Sequence, residues 1–297
     1  MASPSKRILV TGSGGFTGRH LCAHLREHGY HVVGLTDHAS AGSDEIRADL
    51  TDAVAMAAAV REAAPDYVVH LAAIAFPGHA HAADIYRVNV IGSLVLLQAL
   101  ADAQFGRDGV LLPSTATVYA NAGESLLTED SPLAPASHYA VSKLAMEQMA
   151  RLFSAALPIV VVRPFNYTGP GQREPYLVPK IVRHFAERAP YIELGNIDVE
   201  RDFLDVRTVV HAYRRLLEAP QSRGRTLNLC SQHGTTVRGV VRELETITGH
   251  AIEIRVNPQF VRKGEPARIV GSSQALRAVI GDLATIPLGK TLRDMLA

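Results

Sequence analysis

The sequence has little of what marks secreted, metal-binding or nucleic-acid-binding proteins. Its 297 residues include two cysteines, Cys22 and Cys230, which are too few for a disulfide framework and too isolated for a zinc site. The 30 Lys and Arg residues against 29 Asp and Glu leave a formal net charge of +1. That balance argues against an overall basic footprint for nucleic acid, although a local basic pocket is still possible. We therefore expect neither a metal nor a nucleic-acid partner.

Long apolar stretches are missing as well. The N-terminal residues lead into the strand-like segment Ile8–Val10 without the apolar stretch of a signal peptide. No run of 18 consecutive apolar residues, the length that crosses a membrane, occurs in the sequence. We expect a cytoplasmic protein without a membrane partner. At 297 residues, of which 47% are hydrophobic, the chain can bury a sizeable core and has the length of about two domains.

Strand-like and helix-like segments alternate along the first half of the chain. Short continuous apolar runs predict buried strands at Ile8–Val10, Val32–Leu35, Asp66–Leu71, Val110–Leu112 and Ile159–Val162. Apolar residues at helical spacing predict helices at Phe16–His28, Asn89–Leu100 and Tyr139–Phe153. Strands without polar alternation are buried on both faces, so helices must cover both sides of the sheet. The order predicts an α/β fold with a doubly wound parallel sheet of the Rossmann type.

The character of the sequence changes after this region. Three prolines fall within residues 170–179, and the strand-like pieces become shorter. We expect a dinucleotide-binding domain over residues 1–165 and a smaller α/β substrate-binding domain over residues 166–297. A segment near residues 205–230 is expected to return to the first sheet. Because no repeat or low-complexity linker separates the two parts, we expect them to pack into one body.

A glycine-rich turn follows the first strand and opens the first helix. Gly12, Gly15 and Gly18 are spaced three apart and enclose Phe16 and Thr17. A dinucleotide requires a sharp turn, a close approach of the backbone to the pyrophosphate, and free N–H groups at a helix N-terminus. A flexible loop is the alternative for glycines alone, but the position between strand and helix favours the cofactor. We predict NADH or NADPH.

The end of the second strand leaves the choice between these two cofactors open. Asp37 is suited to bind the ribose of NADH, whereas Thr36, with Arg19 nearby, could accommodate the 2′-phosphate of NADPH. Asp49 is a candidate contact to the adenine, and an ordinary surface aspartate is equally compatible with its spacing.

A tyrosine and a lysine lie four residues apart on one predicted helix face. A free tyrosine, with a pKa near 10, is a poor acid or base at neutral pH. The cation of Lys143 beside Tyr139 would favour the phenolate and lower its pKa toward a useful range. Thr115 follows a buried strand, at the sheet edge where ligands bind, and could hold a substrate oxygen. The alternatives are a chance pair and a hydroxyl-rich loop.

These motifs occur in the order seen in extended short-chain dehydrogenases/reductases that act on nucleotide sugars, and the chain resembles this family over essentially its whole length. The motifs are the glycine turn, Ser114-Thr115, Tyr139-x-x-x-Lys143 and Arg163-Pro164-Phe165-Asn166. The segments Phe165–Gln172, Leu194–Phe203 and Leu227–Ser231 are similar to those of the GDP-mannose-type enzymes, in particular the GDP-6-deoxy-4-keto-mannose reductases.

The resemblance implies a role for each matching residue. Tyr139 would be the general acid, Lys143 would hold the nicotinamide ribose, and Thr115 would bind the sugar oxygen. The further cofactor contacts that it implies are Leu50, Leu71, Ala72, Ala73 and Pro164. The implied substrate contacts are Asn166 and Arg201 at the diphosphate, Arg262 as a second phosphate ligand, Glu265 at the ribose hydroxyls and Lys180 near the guanine. Arg201 could instead be a surface cation, and Glu265 a partner of Lys263.

One departure from the family pattern bears on the reaction. The 4,6-dehydratases of this family carry an Asp-Glu pair after the catalytic Thr, where this chain has Ala116 and Thr117. The cysteine of the 3,5-epimerising fucose synthases is missing from this stretch too. The resemblance therefore implies an NAD(P)H-dependent reductase of the C4 keto group of a GDP-4-keto-6-deoxy sugar. That sugar would be a deoxymannose or a deoxy-mannoheptose, used in cytoplasmic sugar-nucleotide biosynthesis for lipopolysaccharide, capsule or glycoprotein glycans.

Two other functions stay open at this point. A nucleotide-sugar 4-epimerase, similar to UDP-glucose 4-epimerase, would use the same residues. A non-catalytic dinucleotide-binding protein of this fold would have no need of Tyr139 and Lys143, which are both present.

The resemblance also implies a homodimer through the helices predicted at Asn89–Leu100 and Tyr139–Phe153. These helices carry more apolar positions than one core-facing stripe requires, namely Leu94, Leu97, Leu144 and Met149. The alternative is that these four side chains are buried within the monomer.

Overall fold

A computed structural model describes residues 5–38, 44–75, 81–120, 123, 125–261 and 264–297 of the chain. The strands are β1 (Arg7–Thr11), β2 (His31–Thr36), β3 (Glu45–Arg47), β4 (Tyr67–His70), β5 (Gly109–Pro113), β6 (Ile159–Pro164), β7 (Asn166–Thr168), β8 (Tyr191–Leu194), β9 (Glu200–Asp205), β10 (Thr226–Leu229), β11 (Gly234–Thr236), β12 (Glu253–Val256) and β13 (Arg268–Ile269). The α-helices are α1 (Phe16–Glu27), α2 (Ala53–Ala63), α3 (Ala82–Tyr86), α4 (Ser93–Ala103), α5 (His138–Arg151), α6 (Leu177–Ala186), α7 (Val206–Glu218), α8 (Val237–Thr248), α9 (Gln274–Ile280) and α10 (Leu288–Leu296).

The main sheet has seven parallel strands in the order β10-β6-β5-β4-β1-β2-β3. Successive side chains of a strand point to opposite faces, and in β1 Ile8 and Val10 contact one apolar layer while Leu9 contacts the other. Helices α1 and α7 cover the first face, and α2, α4 and α5 cover the second. The predicted doubly wound α/β fold is confirmed, because apolar strands of this kind require cover on both faces.

The chain returns to this sheet late. Strand β10 lies parallel to β6, with Thr226 opposite Val161. The other strands form smaller sheets, in which β9 pairs with β7, β11 and β13, and β12 pairs with β8. Helices α6, α8 and α10 pack in a separate apolar cluster with β8. Asp205 fastens α10 to this assembly, since its carboxylate accepts a hydrogen bond of 2.7 Å from the Thr291 hydroxyl.

The helix predicted at Asn89–Leu100 is part of a longer helical segment. It comprises α3, a π-helical stretch at Arg87–Gly92, and α4. By length and composition alone, Ala82–Ala103 could cross a membrane, but 44% of its most apolar window is buried inside the fold. Its side chains Leu96, Leu97 and Leu100 are fully buried, whereas Ile91 and Leu94 are exposed.

Three of the four apolar side chains named for the dimer also have contacts within the monomer. Leu97 is fully buried between α4 and the sheet, and Leu144 and Met149 pack against apolar clusters of the same monomer. Leu94 alone among the four is exposed. Ile91 and Val141, which the prediction did not include, are also exposed on these helices.

Candidate active site

The carboxyl ends of four adjacent strands bring the predicted site residues to one edge of the sheet. In the register of β1 and β4, Thr11 lies opposite His70, and in that of β5 and β6, Pro113 lies opposite Val162. The glycine turn, the loop after β4, the Thr115 turn and the segment after β6 therefore emerge side by side. This is the edge at which ligands bind in open α/β sheets.

The glycine turn packs closely against the loop that follows β4. Gly12 has a φ of +69°, and a Cβ atom there would lie 2.8 Å from the backbone nitrogen of Ala72. A Cβ atom on Gly18 would overlap the carbonyl oxygen of Gly12. Both positions therefore require glycine, because a side chain would push the turn away from the sheet.

The N-terminus of α1 has the features of an anion-binding site. Gly15 caps the helix without a side-chain hydrogen bond, and the first turn contains no acidic residue. The first N–H groups of a helix have no intrahelical acceptor, and the helix dipole favours negative charge there. The hydroxyl of Ser13 is buried without a partner in the described part of the chain. These features fit the diphosphate of a dinucleotide.

The end of β2 presents a carboxylate to solvent. The Asp37 side chain is 73% exposed. Arg19 donates hydrogen bonds to the carbonyl oxygens of Gly14 (2.7 Å) and Gly171 (3.4 Å). Asp49 accepts hydrogen bonds of 2.8 Å from the N–H and the hydroxyl of Thr51, which lower the pKa of its carboxyl. The Asp49 carboxylate thus stabilises its own loop.

Helix α5 places Tyr139 and Lys143 one turn apart beside β5. Lys143 is buried and donates a hydrogen bond of 2.7 Å to the carbonyl oxygen of Pro113. Burial lowers the pKa of Lys143 to about 8, against the opposing charge of Glu147. Its ammonium group is thus mostly protonated at neutral pH.

The expectation that Lys143 lowers the pKa of Tyr139 is wrong for this structure. Burial raises the pKa of the Tyr139 phenol, with smaller contributions from Tyr167 and Tyr176, and a hydrogen bond with Thr115 opposes the increase. The physical reason is that loss of hydration disfavours the phenolate, while the ammonium group of Lys143 is directed at Pro113.

Thr115 begins the 3₁₀ turn Ala116–Val118 at the end of β5. Its hydroxyl accepts a hydrogen bond from the backbone N–H of Thr117 and lies 3.0 Å from the Thr117 hydroxyl. Ala116 is buried, whereas Thr117 is exposed. Neither residue can ionise near neutral pH, so this turn provides hydroxyl groups and no carboxylate.

A buried hydrogen-bond chain beneath this edge was missed in the sequence analysis. The Ser93 hydroxyl donates its proton to the carbonyl of Asn89 (2.7 Å), so it must accept from Nε2 of His70 at 2.9 Å. Nδ1 of His70 then accepts from the hydroxyl of Thr11 at 2.7 Å, and that hydroxyl accepts from the Ala72 N–H at 3.1 Å. Burial, followed by the charge of Lys143, lowers the pKa of His70 to about 3, and the ring is neutral.

Asn89 continues this chain to the catalytic helix. Its side-chain oxygen accepts from the N–H of Ile74 (2.8 Å), and its amide donates to the carbonyl of Ile74 and to the hydroxyl of Ser142 (3.0 Å). Ser142 in turn donates to the carbonyl of Tyr139 at 2.7 Å. The cofactor loop after β4 and the helix that bears Tyr139 are thereby held together. A histidine at the end of an apolar strand was the one available signal in the sequence.

A buried ion pair connects α5 to strand β6. The carboxylate of Glu147 accepts hydrogen bonds of 2.9 and 2.7 Å from the guanidinium of Arg163, and the two side chains are 1% and 3% exposed. Arg163 also donates to the hydroxyl of Tyr119 at 2.9 Å, and that hydroxyl donates to Asn228 at 2.6 Å. The pair joins α5 to β6 and to the loop that follows Thr115.

The predicted substrate residues lie farther along the chain, around β7, β8 and β9. Arg201 and Glu265, which were assigned separate roles, form an ion pair of 2.8 Å, and Asn196 donates to the other oxygen of Glu265 at 2.6 Å. Asn166 is exposed at the start of β7. Lys180 donates to the carbonyl of Glu193 at 2.7 Å and lies over the ring of Phe260, 4.5 Å from its centroid. Arg262 and Lys263 lie outside the described residues.

Comparison with known proteins gives this arrangement a context. The NAD dependent epimerase/dehydratase family matches residues 8–230. The chain is 35% identical over 277 residues to GDP-6-deoxy-D-talose 4-dehydrogenase of Aggregatibacter actinomycetemcomitans, covering 93% of this chain and 92% of that protein. It is 32% identical to GDP-6-deoxy-D-mannose reductase of Pseudomonas aeruginosa, covering 99% and 97%. Identity to UDP-glucose 4-epimerase of Azospirillum brasilense is 31%, covering 93% and 87%.

A solved structure matches the whole fold. RMD from Pseudomonas aeruginosa, complexed with NADPH, has a TM-score of 0.87 to this structure at 32% identity, and the match covers 98% of each chain. The chain belongs to the NAD dependent epimerase/dehydratase family, the extended short-chain dehydrogenases/reductases that its motifs resemble.

Proposed function

We propose that the protein reduces the C4 keto group of a GDP-linked 4-keto-6-deoxy sugar with NADH or NADPH. The sugar is a deoxymannose or a deoxy-mannoheptose, and the reaction belongs to cytoplasmic sugar-nucleotide biosynthesis. Support comes from the names of two similar proteins, a GDP-6-deoxy-D-talose 4-dehydrogenase and a GDP-6-deoxy-D-mannose reductase. Both names describe an oxidation or reduction of a GDP-linked 6-deoxy sugar.

The observation that supports this proposal most is that the turn after Thr115 carries hydroxyl groups and no carboxylate. The Thr115 hydroxyl lies close enough to the phenol of Tyr139 to counteract the rise of its pKa, so it could hold a sugar oxygen beside this proton donor. The next two residues, Ala116 and Thr117, supply neither the acid nor the base that elimination of water requires. This turn therefore supports proton transfer to the oxygen of one carbon, C4, and not elimination of water.

The raised pKa of Tyr139 suits a proton donor. Because burial keeps its phenol protonated at neutral pH, Tyr139 can give a proton to the oxygen that develops negative charge at C4. When bound, the reduced nicotinamide supplies the hydride. Lys143, mostly protonated because its pKa is about 8, would stabilise the phenolate that remains once its ammonium group turns from the carbonyl of Pro113 toward Tyr139, one helical turn away. Thr115 orients the substrate oxygen toward Tyr139.

The glycine turn would hold the cofactor through the N-terminus of α1. The exposed carboxylate of Asp37 favours NADH, because it would repel the 2′-phosphate of NADPH. At the sugar-nucleotide end, Arg201 would bind the diphosphate and Glu265, its ion-pair partner, the ribose hydroxyls. Asn166 would also contact the diphosphate, with Arg262 as a further phosphate ligand. Lys180 would lie near the guanine.

We predict that the protein does not dehydrate GDP-mannose but reduces the dehydrated 4-keto product. Dehydration requires an acid and a base beside C5 and C6, and Ala116 and Thr117 provide neither. GDP-mannose with oxidised cofactor would be followed by chromatography, and the 4-keto sugar with reduced cofactor by absorbance at the nicotinamide band. Accumulation of the 4-keto product at a rate comparable to that of the reduction would overturn the assignment.

A 4-epimerase is the second candidate, favoured by the similarity to UDP-glucose 4-epimerase of Azospirillum brasilense. An epimerase regenerates its cofactor in each cycle, whereas a reductase consumes one reduced cofactor for each product molecule. The two functions are separated by offering GDP-, UDP- and dTDP-linked sugars with and without a 4-keto group. Stoichiometric cofactor consumption with a 4-keto sugar supports the reductase, and isomerisation of a saturated sugar without net consumption supports the epimerase.

We also propose a homodimer through α4 and α5. Ile91, Leu94 and Val141 are exposed apolar side chains on or beside these helices, although Leu97 is buried within the monomer. Burying them in a partner removes apolar surface from water, so the dimer should persist on dilution to micromolar concentration. Light scattering is expected to give twice the 32.0 kDa chain mass. A particle of monomer mass over a wide concentration range would contradict this arrangement.

A further inference from the structure

The first turn of α1 is bound directly to the segment that follows β6. Three hydrogen bonds connect them across about 150 positions of sequence. The Thr17 hydroxyl lies 2.9 Å from the hydroxyl of Tyr167, Nε2 of His20 lies 2.8 Å from the carbonyl oxygen of Pro170, and Arg19 donates to the carbonyl of Gly171 at 3.4 Å. The helix end that fits a diphosphate is thus in contact with the strand that begins at the proposed substrate residue Asn166.

The Tyr167 side chain contacts two residues of the glycine turn, Phe16 and Thr17. Its ring stacks on Phe16, with centroids 6.3 Å apart and an angle of 14° between the planes. Its hydroxyl partner, Thr17, is the second residue of α1, and Thr17 N–H belongs to the group that a helix leaves without an acceptor. Tyr167 also lies close enough to Tyr139 to influence its pKa. It is therefore placed between the anion-binding turn and the proton donor.

The two hydroxyls hold one more hydrogen-bond donor than the bond between them uses. Thr17 and Tyr167 have two hydroxyl protons, and the bond between them requires one. The second proton has no acceptor among the residues that the structure describes. No acidic residue lies in the first turn of α1 to receive it. An oxygen of an anionic ligand at this turn would be such an acceptor, at a position where the helix N–H groups already favour negative charge.

We propose that Tyr167 is a cofactor-binding residue, whose hydroxyl accepts from that of Thr17 and donates a hydrogen bond to the diphosphate of the bound dinucleotide, and so completes the cofactor site from the substrate-binding side of the molecule. This proposal rests on the dinucleotide site proposed above. It adds that the strand next to Asn166 is held in place by the cofactor. Tyr167→Phe removes the hydroxyl and keeps the ring that stacks on Phe16.

The test is direct titration of NADH and NADPH in the absence of any sugar, by calorimetry or by the emission of the bound reduced nicotinamide, which no Trp residue obscures since the chain has none. Losing one hydrogen bond to a charged group is expected to raise Kd by about 10-fold or more. The matched control is Tyr30→Phe, which removes a phenol hydrogen bond of 2.7 Å to Glu218 at the far end of α1. Its Kd should equal that of the wild type.

A second variant, Thr17→Val, tests which of the two hydroxyls meets the ligand. Because Thr17→Val leaves the Tyr167 hydroxyl in place, we expect it to weaken binding less than Tyr167→Phe does, and the double variant to bind about as weakly as Tyr167→Phe. A Kd for Tyr167→Phe within twofold of the wild type would overturn the role of Tyr167 while the cofactor site stands. A wild-type protein that binds neither dinucleotide would overturn both. Should Tyr167→Phe fail to fold, Thr17→Val alone decides: a Kd raised 10-fold or more would make the Thr17 hydroxyl the donor and overturn the role of Tyr167.

Discussion

Tyr139→Phe is expected to lower turnover of the 4-keto sugar by about 10²–10⁴-fold, the contribution of a general acid. The substitution removes the phenol hydroxyl beside Thr115 and leaves the ring in its place. Binding of NADH or NADPH should change little, because the glycine turn and the α1 N-terminus are untouched. Steady-state kinetics with a 4-keto sugar nucleotide, together with a cofactor titration, would measure both quantities.

The matched control is Tyr67→Phe, at the opposite, amino-terminal end of β4. It removes a phenol hydroxyl from a partly buried tyrosine without reaching the carboxyl edge of the sheet. Its turnover should stay within a few-fold of the wild type. If Tyr139→Phe and Tyr67→Phe gave similar turnover, Tyr139 would not be the proton donor, and another group at this edge would have to carry that role.

The second large effect is expected on stability, from Glu147→Gln. Breaking a buried ion pair leaves the guanidinium of Arg163 uncompensated in an environment of low polarity, which costs about 3–5 kcal/mol of the free energy of unfolding. The loss should appear as a lower urea midpoint, measured by circular dichroism. Because the pair joins α5 to β6, the apparent affinity for substrate should also fall as Tyr139 loses its fixed position.

Two further variants make this prediction specific. Glu253→Gln breaks an exposed ion pair with Arg255 and should leave the urea midpoint unchanged. Replacing both buried partners, as Glu147→Leu with Arg163→Met, should recover much of the lost stability, since no charge is then left unpaired. Equal midpoints for Glu147→Gln and Glu253→Gln would show that the buried pair does not support the fold in this way.

The sheet and the cofactor turn could be predicted from the sequence because both depend on local patterns. Continuous apolar runs such as Ile159–Val162 appear as strands in the structure, within a residue or two at each end. Gly12 and Gly18 are required by backbone contacts of the turn itself and of the adjacent loop. The spacing of Tyr139 and Lys143 is likewise a property of one helix.

What could not be predicted depends on contacts between residues far apart in sequence. The sequence determined which segments form strands, the glycine turn, and the four-residue spacing of Tyr139 and Lys143, because backbone geometry and burial act over a few residues. Tertiary structure alone decided that Lys143 meets Pro113, that His70 bonds Ser93, that Arg201 pairs with Glu265, and that Tyr167 meets Thr17. The physical reason is that such polar contacts follow no period along the chain. They form only when folding excludes water and leaves each buried donor to find an acceptor.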